Sequence, residues 1–70
     1  MTIDQYVEKQ IEYARRCPDL CSAFMHNAFG AVEWEIARIT DKKEISRIYK
    51  KYNTEWSPAF EKINMKKLDF

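Results

Sequence analysis

The sequence predicts an all-α fold, a compact bundle of three longer helices and one short C-terminal helix. Three observations predict it. Apolar residues recur at steps of three and four along most of the chain. A single Gly and two Pro leave few of the residues that tight β-turns require. Residues with helix-capping side chains, Thr2, Asp41 and Ser57, stand just ahead of periodic segments. The 70 residues make one domain, residues 1–70, with a thin core, because only about 60% of the unfolded surface is buried at this size. Aromatic side chains, 14% of the chain, compensate by burying a large area each.

Thr2 followed by Gln5 is a capping box, which satisfies two backbone donors that a helix start leaves orphaned. From there Ile3, Tyr6, Val7, Gln10, Ile11, Tyr13 and Ala14 share one side of a helix. Asp4, Glu8, Lys9, Glu12, Arg15 and Arg16 share the other. Pro18 ends this helix by disfavouring helical geometry at the residue before it.

A second helix is expected from Pro18-Asp19 to about Ile39, with proline in its first turn. Cys21, Phe24, Met25, Ala28, Phe29, Ala31, Val32, Ile36 and Ile39 form a broad apolar arc on it. The far side carries a second stripe, Ala23, Asn27, Gly30, Trp34 and Ala37, at alternating steps of four and three. Its small members, Ala23, Gly30 and Ala37, predict a close contact with another helix. A helix that is apolar or small nearly all round is a buried one, so helix 2 is expected to be central. Glu35 falls within the apolar arc and requires a partner there: Arg38, a tyrosine hydroxyl or a lysine of another molecule.

Asp41 and Glu44 signal a third helix, with Ile45, Ile48, Tyr49 and Tyr52 facing inward. Lys43, Arg47, Lys50 and Lys51 lie opposite as a basic face. Asn53 is expected to close the helix in the left-handed conformation. Ser57-Pro58 then reads as an N-cap and first position of the short helix, whose Ala59, Phe60 and Ile63 turn inward. Residues 65–70 lose that register and are expected to fray.

The net charge of +1 is unevenly spread: residues 1–36 carry three basic and six acidic residues, residues 37–70 nine and five. Such a dipolar chain suits pairing with its own copy or with an acidic partner, and equally a solvated surface. The N-terminus enters a charged helical pattern with no apolar leader, and the longest apolar stretch, Ala28 to Val32, is too short to span a bilayer. A cytoplasmic protein with reduced cysteines and no membrane partner is expected.

Cys17, Cys21 and His26 suggest a metal, yet structural zinc takes four ligands and the chain has no other Cys or His. Cys21 is expected in the core and Cys17 in the turn, a disulfide or reactive thiol being the alternative. Ser22 and Ser57 lack the glycines of a nucleophile elbow, and Gly30 alone cannot build a phosphate loop. Glu8 and Glu12 are spaced as paired carboxylates but sit on the solvent side of helix 1. No catalytic residue, metal, cofactor or small-molecule substrate is therefore expected.

What remains is binding. A non-enzymatic protein-binding module is expected, acting by self-association as a homodimer or as an accessory or inhibitor of a larger protein. Trp34, Trp56, Tyr6 and Tyr13, with Phe70, are its candidate anchors, because interface hot spots favour Trp and Tyr. Lys43, Arg47, Lys50 and Lys51 are its candidate charged contacts. The alternative is a minimal helix-turn-helix-like nucleic-acid-binding module over residues 45–67, against which the pI near 7.7 weighs.

Ala28-Phe29-Gly30-Ala31-Val32, together with Trp56 and Ser57-Pro58-Ala59-Phe60, is similar to segments of small helical proteins of Gram-positive bacteria and their phages. The resemblance implies an accessory protein of a mobile element and carries no activity to these residues.

Overall fold

The computed structural model describes residues 1–67, and every described residue outside 1–2, 17 and 39–41 is helical. Helix α1 spans Ile3–Arg16, a 3-10 turn covers Pro18–Leu20, and α2 spans Cys21–Arg38. Helix α3 spans Lys42–Lys51, and α4 spans Ser57–Lys67, with a π turn at Tyr52–Trp56 between them.

Local chemistry sets the helix starts. Both hydrogen bonds of the Thr2–Gln5 capping box form, at 2.9 and 3.1 Å. Cys17 leaves helical geometry just before Pro18, and Asp41 caps α3 by accepting from the Lys43 amide at 3.0 Å. Glu35 meets Arg38 at 2.7 Å, one of the partners its place in the arc required.

The expected break between helices 3 and 4 does not form. Asn53 does not take the left-handed conformation, since no described residue has positive φ. Ser57 is helical, at φ −61° and ψ −46°, and does not cap a helix start. Its amide instead bonds the Tyr52 carbonyl five residues back. Helices α3 and α4 are thus one rod carrying a wider turn, and the bundle has three rods rather than three long helices and a short one. The helix-turn-helix alternative over residues 45–67 loses its turn with this break, for no crossing of two helices remains there.

The spacing of the inward residues explains the π turn. Ile48, Tyr52, Trp56 and Phe60 stand four apart, and each such step drifts about 40° around an α-helix. One π turn takes up the drift and keeps all four on one line. Ile48, Trp56, Phe60 and Ile63 are buried as a result, and Tyr52 is half-buried. The inward line therefore departs from the predicted one: Ile45 is half-buried and Tyr49 is 51% exposed.

Val7, Ile11 and Ala14 of α1 and Cys21, Ala28 and Val32 of α2 complete the core. Helix α2 is not enclosed. In a bundle of three rods each rod has two neighbours, so about half of every helix faces water. Ala23, Gly30 and Ala37 lie on that outer half, and a Cβ added at Gly30 would meet nothing within 4 Å. The close contact expected of them is not made among the described residues. Met25 and Phe29, at the rim of the predicted arc, are also exposed. Residues Met65 to Lys67 continue α4, while the rest of the expected frayed tail, with Phe70, lies outside the described residues.

Candidate functional site

The outer face of α2 carries an uncovered stripe of small and apolar side chains. Trp34 stands toward its C-terminal end, 75% exposed. Exposed Ala23, Gly30 and Ala37 share this stripe with it at helical spacing, with Asn27 as the polar member. Leu20, in the 3-10 turn just ahead of α2, is 54% exposed and extends the stripe by one more step. Sequence reasoning missed Leu20, although its place seven residues before Asn27 and three before Ala23 was the signal. His26 and Glu33, both exposed, flank the stripe on one side.

The other predicted anchors separate. Trp56 is 2% exposed and belongs to the core, not to a partner-facing surface. The π turn carries it inward, against the ammonium of Lys51, which lies 5.5 Å from the ring centroid. Tyr13 packs on Phe24 at 5.7 Å between ring centroids and keeps 38% exposure. Tyr6 is half-buried. On the rim of α2, Phe29 meets Tyr52 edge-on at 5.6 Å.

The basic face of α3 is also divided. Arg47 donates to both carboxylate oxygens of Asp4, at 3.1 and 3.2 Å, and also bonds Glu44. Lys51 donates to Asp4 at 2.8 Å. These bonds tie the start of α1 to α3, and of the predicted face Lys43 and Lys50 remain exposed with no ion pair among the described residues. Hydrogen bonds from Arg47, then from Lys51, hold the Asp4 carboxyl below the usual carboxylate range against the opposing effect of its partial burial. Arg47 is shifted upward by its bond to Glu44 and then by its bonds to Asp4, and Lys51 by its bond to Asp4. The network is a structural clamp.

The cysteines stand apart in environment. Cys21 is buried, with its thiol donating to the Phe60 carbonyl at 3.5 Å, whereas Cys17 is exposed. Among the described residues no three His, Cys, Asp or Glu side chains gather as a metal site requires. A shallow groove between the end of α1 and α4, lined by Arg15, Pro18, Pro58, Lys62 and Ile63, is open to water. No described helix is long and apolar enough to cross a membrane.

No family model matches the chain, and no curated protein or solved structure is significantly similar to it.

Proposed function

We propose that the protein is a non-enzymatic protein-recognition module that binds through the outer face of α2. Its setting is the cytoplasm, and the resemblance noted above favours an accessory protein of a mobile element. One observation carries the reading. Trp34 presents most of its indole to water on a helix face that it shares with the small side chains of Ala23, Gly30 and Ala37 and with Asn27, between Glu33 on one edge and Arg38 on the other. Water-exposed apolar patches are disfavoured on soluble monomers, and a large aromatic amid small side chains is the usual anatomy of a binding hot spot. The basic residues of α3 support this reading less, because Arg47 and Lys51 are already engaged with Asp4.

A Trp34→Arg variant tests the reading. It should keep the wild-type melt, since the side chain carries little of the core. Immobilised wild-type protein should then retain a protein, its own chain or another, that the variant does not. Equal retention by both, or none by either, would count against the module.

A further inference from the structure

We infer that the outer face of α2 pairs with the same face of a second copy, antiparallel, about a two-fold axis between Ala28 and Phe29. The inference rests on the recognition reading and names the partner. Leu20, Ala23, Asn27, Gly30, Trp34 and Ala37 follow the alternating three-and-four spacing of a two-helix seam. Within that seam size alternates strictly. Leu20, Asn27 and Trp34 recur every seven residues as the larger set, and Ala23, Gly30 and Ala37 as the small set.

Reversing one copy against the other about this axis sets a large residue against a small one in every layer. Leu20 meets Ala37 of the second copy, Trp34 meets Ala23, and Asn27 meets Gly30, each pair occurring twice by symmetry. Large against small is how facing layers interdigitate at native density. A parallel pairing does the opposite, stacking Trp34 on Trp34 and Gly30 on Gly30, so that overfilled and empty layers alternate. The small set lets the two backbones approach to about 8 Å, the near limit for packed helices.

Charge fits the same arrangement. His26 and Glu33 flank the seam on one side, each just ahead of a larger seam residue. Reversal brings Glu33 of one copy beside His26 of the other, twice per dimer, so an imidazole N–H faces a carboxylate at both ends. No like charges are brought together, since Arg38 on the opposite flank is held by its own Glu35. Asn27, the polar seam residue, lies near the axis, where a buried amide fixes register.

The test is sedimentation equilibrium of the full chain over a wide concentration range, with each variant first shown to keep the wild-type helical content and melt. Wild type should dimerise with a dissociation constant in the micromolar range. Trp34→Ala should weaken this by about 30-fold or more, and Ala23→Trp should weaken it by setting indole against indole. The double variant Ala23→Trp/Trp34→Ala should restore it, because each swapped layer is again large against small. Gly30→Glu replaces Ala23→Trp as the disrupting variant if the latter misfolds. A dimer that the double variant does not restore would overturn the antiparallel seam. A monomeric wild type that still retains another protein through Trp34 overturns self-pairing and leaves the recognition reading standing. A monomeric wild type that retains nothing overturns both.

Discussion

Ser57 donates its backbone N–H to the Tyr52 carbonyl, five residues back, one position ahead of Pro58. That bond lets a proline sit inside a continuous rod. In an α-turn Pro58 would forfeit a hydrogen bond and press its ring on a carbonyl four residues back, at a cost of about 3 kcal/mol. The π turn opens the backbone where the proline falls. Deleting Asn53, which is exposed, should close the turn to α geometry and strand Pro58 in a helix interior, losing about 3 kcal/mol. Adding Pro58→Ala to the deletion should return stability to the wild-type level or above, because Ile48, Tyr52, Trp56 and Phe60 then follow four-three-four spacing. Denaturant melts of the three chains decide the matter. A deletion that is harmless while Pro58 is present would show that the proline does not set the turn.

Asp4 accepts from both Arg47 and Lys51, and its carboxyl titrates below the ordinary range. A carboxyl depressed in the folded state gives stability that is fully present above its unfolded value, about 3.9, and lost as pH falls through the folded value. Asp4→Asn should therefore cost about 1–2 kcal/mol at neutral pH. The gap between variant and wild type should close below about pH 4, where the wild type loses the contribution that the variant never had. A gap that stays constant into strong acid would mean that Asp4 acts through packing rather than charge.

These two cases mark what was legible in the sequence. The Thr2–Gln5 box, the Asp41 cap and the stop before Pro18 could be read because each involves residues a few positions apart. The Asp4–Arg47 bond joins residues 43 apart and left no pattern in either helix. Asn53 and Ser57-Pro58 carried true local signals for a break, which the packing of Trp56 and Phe60 overrode. At the candidate site the stripe around Trp34 was legible as spacing. Its exposure was not, because a wheel shows which residues share a face and cannot show how many neighbouring helices there are to cover it.

The two tryptophans should report these different surroundings. Trp34 is 75% exposed and Trp56 is 2% exposed. In dilute protein, Trp34→Phe should leave blue-shifted emission shielded from a soluble quencher, and Trp56→Phe should leave red-shifted, quenchable emission. Stability should divide the same way. Trp34→Ser should change it by no more than about 0.5 kcal/mol, whereas Trp56→Ala should cost about 3–5 kcal/mol. Trp56→Phe should cost far less than its lost area suggests, since it also removes a buried indole N–H that has no acceptor among the described residues. Comparable losses at positions 34 and 56 would contradict the exposure of α2.

Gly30 decides whether the outer face of α2 is free in the single chain. A glycine in mid-helix normally costs about 1 kcal/mol relative to alanine, and it is retained where a side chain would collide with something. Here an added Cβ meets nothing within 4 Å, so the single chain gives no reason to keep the glycine. Gly30→Ala should stabilise the dilute monomer by about 0.5–1 kcal/mol. Gly30→Leu should also fold with a melt at or above that of wild type, since leucine has high helix propensity and its side chain would extend into water. If another helix of the same chain covered this face, leucine would overpack it and cost about 1–3 kcal/mol. Thermal melts at low concentration separate the two cases. A clear destabilisation by Gly30→Leu there would show that the face is already occupied within the monomer, and it would remove the surface on which the proposed binding depends.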